Sequence, residues 1–397
     1  GYGEYGLLPE LKGENEKTIA KIFDRALEGR RSEEEESGEN DRAGGVIMTM
    51  TGGVKVEELK KSEKGRILFE KIGHASVNEA YALARKEIST IRLLPNVIMS
   101  VGSEEERKYV YKNVEIKGKE EEEEEEEEDK VWIEGINEIK NYGEDEKSKE
   151  KYSDNKVGTV IGYGREIGEG KYIGMYMKGS KDEMKQGVGN NGEVVNVGMG
   201  LCGGYETSSL PKNSNIDIKW LGYVGMNKYN TERESVGGVR GKAEFSGSEI
   251  GLDVEGGLKI GSKEEGIIRP YIGIGIRKIR YDEIEEKGTL AYMKIKSGSF
   301  DRCVWRIGVE GNKEISKKVE IEGKVEYERV MKGEVGRVEE EVEGSIAGIE
   351  EGKDKVGLSG GVRYKVRKDI GLMAGLSGYK ADKYNEVGVN VGAWFKF

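Results

Sequence analysis

The feature that most constrains the fold of this chain is an alternation of apolar residues with charged or small ones, repeated from Lys130 to the C-terminus. In the segment 355–366, valine, leucine and tyrosine alternate with lysine, arginine, serine and glycine. The segments 193–205, 249–262 and 316–330 repeat this period of two. Successive side chains of a β-strand point to opposite faces, so each segment predicts a strand with one apolar and one polar face. The charged face must meet water, whereas the apolar face must avoid it.

Composition favours a membrane-embedded barrel over a soluble domain. Glycine accounts for 61 of the 397 residues, charged residues make up 36%, and the formal net charge is −11. A soluble protein of this composition would be short of core residues, whereas a transmembrane barrel needs apolar residues only at every second, lipid-facing position. The sequence has no run of roughly 18 or more apolar residues, so it predicts no transmembrane helix. The acidic balance argues against nucleic acid as a partner.

We therefore predict an all-β fold: a transmembrane antiparallel β-barrel of about twelve strands, with an N-terminal helical segment. Each predicted strand has about ten residues or more, the length that a tilted strand needs to cross a membrane. We expect 282–300 to be mainly loop, rather than to contain a strand at 289–296. The strands are predicted near 130–142, 156–167, 171–180, 193–205, 215–229, 249–262, 268–281, 301–313, 316–330, 355–366, 369–379 and 386–397.

The predicted connections fall into two classes that alternate along the chain. Long, charged, glycine-rich loops are expected at 231–248, 282–300 and 331–354, and tight turns at 168–170, 262–266, 312–316 and 367–369. Barrels of the outer membrane have short turns on the periplasmic side and long loops outside. A soluble sandwich gives no reason for such an alternation.

The sequence before the barrel divides into two further regions. Residues 1–74 are expected to be partly helical at 11–27 and partly a flexible linker at 30–43. Residues 75–129 are expected to hold a helix and an acidic linker, and 130–397 to form the barrel. The helix is predicted at 76–90 with a possible extension to Met99, where Pro95 ends or kinks it. The glutamate run at 120–128 suggests a solvated linker. The lack of a signal segment at Gly1 suggests a chain whose upstream part has been removed.

Several stretches of the predicted barrel resemble the autotransporter β-domain family. Segments 131–135 and 157–165 are similar to its opening hairpin, and 172–176 is similar to its third strand. Segment 269–273 is similar to its proline–tyrosine strand start, and 305–311 to the strand after its fourth long loop. The resemblance covers about 130–397, and the terminal Phe397 on an alternating aromatic strand is similar to the signal read by the outer-membrane insertion machinery.

This resemblance implies an outer-membrane translocator and anchor domain that helps to export an N-terminal passenger to the cell surface, without enzymatic activity. It also implies that residues 1–74 are a passenger remnant or linker, and that residues 75–129 hold a pore-spanning helix, at 76–90, and an acidic linker. The implied partners are outer-membrane lipids, the insertion machinery acting through Phe397, and the chain's own passenger, with the protein as a monomer. Some family members cut themselves between two asparagines of the helix, but Asn78 and Asn96 stand unpaired here. The alternative is a porin-like or adhesin barrel whose function lies in its long extracellular loops.

No catalytic, cofactor-binding or metal-binding residue is predicted. His74, the only histidine, is expected to be structural or exposed. The inward carboxylates of Asp253, Glu255, Glu320, Glu322 and Glu326 are interpreted as a hydrated lumen wall rather than as acid–base pairs. Strand glycines are expected to make room in the pore or to ease curvature. Cys202 and Cys303 lie on non-adjacent predicted strands, which disfavours a disulfide, and most of Trp132, Trp220, Trp305 and Trp394 are expected at the membrane interfaces.

Overall fold

The computed structural model describes residues 93–100, 106–114 and 129–397, apart from short stretches in the connections of the barrel. Those stretches are 144–150, 169, 188, 208–213, 235–239, 263–264, 289–292, 334–336, 341–343 and 348–351. The predicted helix at 76–90, the acidic run at 120–128 and His74 lie outside the described residues.

Twelve antiparallel strands form a closed barrel, which confirms the predicted fold class. Every neighbouring pair of wall strands is antiparallel and, apart from the pair that closes the barrel, is connected in sequence order. The wall strands are β1 (Asp129–Tyr142), β2 (Tyr152–Glu166), β3 (Lys171–Gln186), β4 (Asn190–Thr207), β5 (Ser214–Glu234), β6 (Arg240–Ser262), β7 (Gly266–Tyr281), β10 (Gly298–Ser316), β11 (Val319–Lys332), β14 (Asp354–Lys365), β15 (Ile370–Ala381) and β16 (Tyr384–Lys396).

The barrel closes where β1 pairs with β16, so the two ends of the domain meet. The amide of Asp129 donates to the Phe397 carbonyl at 3.1 Å, and the amide of Phe397 donates back at 3.0 Å. We call this end of the barrel the terminal end. The opposite end, where β1 finishes at Tyr142 and the connections 282–297 and 333–353 emerge, is the loop end. The even strand number places both chain ends of the barrel on one side, as the sequence predicts.

Several predicted boundaries are wrong because strands extend further than the membrane requires. The expected loop at 231–248 lies mostly within β5 and β6, whose pairing runs from Ser214 opposite Ile260 to Glu234 opposite Arg240. The turn expected at 312–316 is also strand, because β10 continues to Ser316. Outward charges such as the Lys228–Glu244 pair, at 2.6 Å, lie on this extension and end the apolar alternation on which the predicted boundaries depended.

The outer and inner faces of the wall follow the predicted alternation. Val356, Leu358 and Val362 are exposed on the outside, whereas Lys355 between such positions is buried inside. At the last strand, Phe395 and Phe397 lie outside, and Phe397 is 72% exposed. Because the inner face has no need to be apolar, it can carry the charge that the composition demands.

The prediction that tryptophans anchor the barrel at the membrane interfaces is wrong for two of the four. Trp220 and Trp305 lie on the outer face, but Trp132 and Trp394 are 1% and 5% exposed inside the barrel. Each inner ring covers a glycine of a neighbouring strand, so that a Cβ at Gly162 or Gly371 would collide with it. These glycines therefore make room for side chains of the wall itself. The indole rings of Trp132 and Trp394 lie in the lumen and cannot anchor the barrel to an interface.

A small second sheet closes over the loop end. It contains β8 (Ile284–Glu285), β9 (Lys294–Ile295), β12 (Arg337–Glu340) and β13 (Gly344–Ala347), in the order β13-β12-β9-β8. We call it the loop-end sheet. The segment predicted as loop at 282–300 thus holds two short strands and the start of β10. The loop-end sheet joins two separate connections of the barrel, which no local sequence pattern specifies.

Two short helices lie inside the barrel, α1 (Leu93–Met99) and α2 (Glu106–Val110), and a 3-10 turn at Tyr111–Asn113 follows α2. Pro95 lies within α1, and the helix continues beyond it to Met99. Within the described residues, no helix has both the length and the apolar character needed to cross a membrane.

Candidate functional site

The central feature of the lumen is a stretch of chain that runs through it from one end to the other. We call its described parts, 93–100 and 106–114, the lumen segment. Val97 in α1 packs over Gly192 of β4 near the loop end. Val114 at the other end of the segment belongs to a buried cluster with Trp132 and Trp394, near the terminal end. The segment therefore enters at the loop end and approaches the start of β1.

Within the lumen segment, α1 is an apolar helix that is buried on every side. Leu93, Leu94, Val97 and Ile98 are 0–4% exposed, and they belong to one cluster with inward side chains of the wall. A Cβ at Gly192 would collide with Val97, so at this position the glycine does make room for the contents of the pore. Burial in these apolar surroundings explains why a seven-residue helix, too short to be stable alone, forms here.

The loop-end sheet completes this apolar cluster from outside. The two connections that form the sheet contribute five side chains, each 0–4% exposed, to the same cluster as α1. They are Ile284, Met293, Ile295, Val338 and Ile346. We call these five side chains, together with Leu93, Leu94, Val97 and Ile98, the apolar seal. Burying large aliphatic side chains stabilises by about 1.5–3 kcal/mol each. The seal therefore excludes water at the loop end through many small contributions.

A buried ion pair fixes the loop-end sheet to the wall. Arg233 of β5 donates to both carboxylate oxygens of Glu286, each at 2.6 Å. The amide of Met293 donates to the same carboxylate at 3.1 Å. Both charged side chains are at most 5% exposed. The bidentate geometry positions the connection over the barrel more tightly than a single hydrogen bond would.

Six buried carboxylates of the wall, none more than 7% exposed, contact residues 107–112 of the lumen segment. We call them the acidic belt: Glu134, Glu138, Asp253, Glu326, Glu328 and Glu386. Three basic side chains of the wall contact the belt. Arg306 pairs with Asp253, Lys324 lies 3.0 Å from Glu326, and Lys355 lies 3.4 Å from Glu386.

Three further positive charges reach the belt from the lumen segment. Arg107 donates to Glu326 at 2.8 Å through one nitrogen and contacts Glu326 and Glu328 through another. Lys108 lies 2.8 Å from Glu386 and 3.7 Å from Glu138. Lys112 pairs with Glu134. Because these pairs are almost fully desolvated, each partner depends on the other to remain charged.

Two tyrosines of the lumen segment bind the same belt. The Tyr109 hydroxyl donates to Glu138 at 2.5 Å, and the Tyr111 hydroxyl donates to Asp253 at 2.8 Å. Hydrogen bonds to a charged acceptor are about twice as strong as neutral ones. Five side chains within 107–112 thus bind carboxylates on several strands around the lumen, so the segment is fixed in rotation as well as in height.

The wall also binds the backbone of the lumen segment. Arg277 donates to the Met99 carbonyl at 2.9 Å, and Lys219 donates to the Tyr111 carbonyl at 3.4 Å. Arg363 donates to the Lys112 carbonyl, and Lys130 lies 3.5 Å from the Asn113 carbonyl. Carbonyl groups at a helix end need partners from outside the helix, and here basic side chains of the wall supply them.

A cavity of about 330 Å³ lies beside residues 107–114 of the lumen segment. Charged side chains of both signs line it, including Lys259, Glu314, Glu322 and Lys365. Glu320 and Glu322, predicted as inward carboxylates, also line this cavity rather than the belt. Water and small ions can therefore occupy the space between this part of the segment and the surrounding wall strands.

Comparison with known proteins identifies the family of the chain and structures of similar fold. Residues 131–377 match the autotransporter beta-domain family. The chain belongs to this family. The translocator domain of the autotransporter NalP from Neisseria meningitidis is similar in fold, with a TM-score of 0.61, 13% identity, and coverage of 73% of this chain and 92% of that chain. The β-domain of the Bordetella autotransporter BrkA is also similar, with a TM-score of 0.51, 14% identity, and coverage of 68% and 99%.

Among curated proteins, no sequence matches the chain significantly. Membership in the autotransporter β-domain family places the barrel in the outer membrane and assigns it to transport rather than to enzymatic chemistry. In the described part of this autotransporter domain, no group of three or more histidine, cysteine or acidic residues could hold a metal ion. Cys202 and Cys303 are both free thiols on strands that do not pair, as the sequence predicts.

The belt of this autotransporter domain was only partly visible in its sequence. Alternation identified Asp253 and Glu326 as inward-facing, and the structure confirms both. Arg107, Lys108 and Lys112 were not predicted as lumen residues, because the pore-spanning helix was predicted upstream at 76–90. The available signal was a cluster of three basic residues and two tyrosines at 107–112, all of which can donate hydrogen bonds to carboxylates.

Proposed function

We propose that this barrel exports the chain that precedes it and then retains the lumen segment as a plug. The observation that carries the proposal is the position of the two described parts of the lumen segment. Residues 93–100 lie near the loop end, and residues 106–114 lie nearer the terminal end, where β1 begins at Asp129. A chain whose upstream part lies outside the cell and whose barrel starts on the periplasmic side must pass through the lumen.

In this proposal, residues 1–74 are a passenger remnant or linker at the cell surface, and 75–129 form the pore-spanning stretch with its acidic linker. The wall supports passage because many of the side chains that line its lumen are charged or polar. A polar lining binds a moving chain through contacts that water can replace. A role as an open porin is disfavoured because the plug and the apolar seal fill the lumen.

The proposal is tested by the location of an epitope inserted within residues 31–43. Antibody should label this tag on intact cells. A matched control carries the same tag after Lys368, in the turn between β14 and β15 at the terminal end, and should be labelled only after the outer membrane is permeabilised. Export through the barrel is refuted if the first tag also requires permeabilisation while the barrel itself is folded.

We further propose that the insertion machinery of the outer membrane recognises the last strand through Phe397. This side chain is 72% exposed on the outer face, in line with Phe395, Val391 and Val389. Phe397→Glu should abolish most of the heat-modifiable, folded barrel in membranes, whereas Lys396→Glu, on the inner face, should retain it. Equal assembly of the two variants would contradict this role for Phe397.

A further inference from the structure

The acidic belt receives part of its positive charge from a segment that can leave it. Arg107, Lys108 and Lys112 belong to the lumen segment, whereas Arg306, Lys324 and Lys355 belong to the wall. If the chain moves through the lumen, as the proposed function requires, the belt loses three positive charges and keeps its six carboxylates. This inference therefore rests on that function.

Without these three cations the six carboxylates leave an excess of negative charge in the lumen, where like charges close to one another are unfavourable. During export the belt therefore attracts any positive charge that the passing chain presents. The attraction falls on the stretch of lumen where residues 107–112 now lie, since all six carboxylates, on strands β1, β6, β11 and β16, contact those residues. An uncharged or acidic stretch gains nothing there.

We propose that the acidic belt is a binding site for basic, tyrosine-bearing peptide segments, and that it determines where the exported chain comes to rest. Residues 107–112 fulfil this requirement with two adjacent cations, a third cation four positions after Lys108, and tyrosines between them. The tyrosine hydroxyls donate to Glu138 and Asp253, so they add contacts that lysine alone would not make. The segment is retained because each of its polar side chains has a carboxylate within reach.

The chain contains a natural comparison for this specificity. Arg85 and Lys86 repeat the adjacent cations Arg107 and Lys108, but the residues that follow the two pairs differ. Where Tyr109 and Tyr111 follow in the retained segment, Glu87 and Ser89 follow here. A glutamate at the position of Tyr109 would face the Glu138 carboxylate with like charge. The belt therefore should pass the earlier segment and hold the later one.

Peptide binding to the full-length protein in detergent micelles tests the proposal. Arg107→Glu, Lys108→Glu and Lys112→Glu are combined, so that the protein's own segment no longer competes for the belt. A fluorescent peptide with the sequence of residues 106–114 should bind this variant, measured by anisotropy, and should not bind the wild-type protein. A peptide with the sequence of residues 84–92 should bind about tenfold more weakly or worse.

A second set of variants connects binding to the belt. Adding Glu326→Gln, Glu328→Gln and Glu386→Gln should weaken binding of the 106–114 peptide by about tenfold or more. Equal binding of the two peptides, or binding unchanged by these three substitutions, would overturn the proposal. A milder variant with glutamine at 107, 108 and 112 repeats the measurement if the charge reversal prevents folding, which heat-modifiability reveals. The tag experiment tests export in cells and the peptide experiment tests the belt in micelles, so their failures are distinguishable.

Discussion

The two halves of the lumen segment are held by opposite kinds of environment. Around α1, the apolar seal buries Val97 and Ile98 completely, with aliphatic and aromatic neighbours. Around α2 and the turn that follows it, the acidic belt surrounds Arg107, Lys108 and Lys112 with carboxylates. One continuous stretch of chain thus meets a dry environment at the loop end and an ionic one further in.

This difference separates two requirements of a plug. An apolar seal excludes water efficiently, but its energy depends on buried area rather than on direction, so it specifies position weakly. Charge-assisted hydrogen bonds depend on distance and angle, so the belt specifies height and rotation. We infer that the seal provides closure and the belt provides register. Hydrogen exchange, measured separately for 93–100 and 106–114, can distinguish these contributions.

The largest expected effect follows from removing one of the cations that bind the belt. Arg107→Ala takes a buried cation away from Glu326 and Glu328 and leaves the wall residues Lys324 and Arg306 beside them, which should cost about 3–5 kcal/mol locally. Amide exchange in 106–114 should accelerate accordingly, whereas exchange in 93–100 should change little. Arg107→Lys, which keeps the charge but not the fork, serves as the control and should lie between. If both regions accelerate equally, belt and seal form one cooperative unit.

Loosening the loop-end sheet should have a smaller effect, confined to the seal. Glu286→Gln keeps the shape of the side chain but removes the charge that binds Arg233, and hydrogen bonds to charged groups contribute about 1.5–3 kcal/mol. Exchange at Ile284 and Ile295 and in α1 should accelerate, while 106–114 remains protected. The exposed pair Glu232–Arg240 on the same hairpin provides a control, because Glu232→Gln should leave the seal unchanged.

Filling the space under α1 tests the seal from the wall side. Gly192→Val introduces a side chain where Val97 now packs, and overpacking costs about 1–3 kcal/mol. Exchange in 93–100 should rise, with little change in 106–114. Gly179→Val on neighbouring β3 is the matched control, because a Cβ there meets nothing within 4 Å. Similar effects of the two substitutions would show that the contact with Val97 does not position α1.

The smallest effect is expected outside both regions. Lys228→Gln removes an ion pair with Glu244 in which both side chains are more than 60% exposed. Such pairs contribute little because water screens them. Neither lumen region should change its exchange rate, and the thermal stability of the barrel should be that of the wild type. A measurable change in 93–114 would mean that the hairpin extension transmits strain into the lumen.

Comparison of prediction and structure shows which signals were reliable. Alternation predicted the twelve strands and placed Phe397 outside, because side-chain direction in a strand depends only on local geometry. The same parity places Trp132 and Trp394 inside, and the usual preference of tryptophan for interfaces does not override it. The loop expected at 231–248 is wrong because charged residues on the outer face of β5 and β6 interrupt the apolar alternation without ending the strands.

The sequence by itself determined the periodicity of the wall, the strand number and the separation of an apolar outer face from a charged inner face. It also indicated that chain would occupy the pore. Only the tertiary structure decided which residues meet there. Arg107 and Glu326 are 219 residues apart, and two distant connections form the loop-end sheet. Such contacts depend on the register and closure of all twelve strands, so no local pattern of residues encodes them.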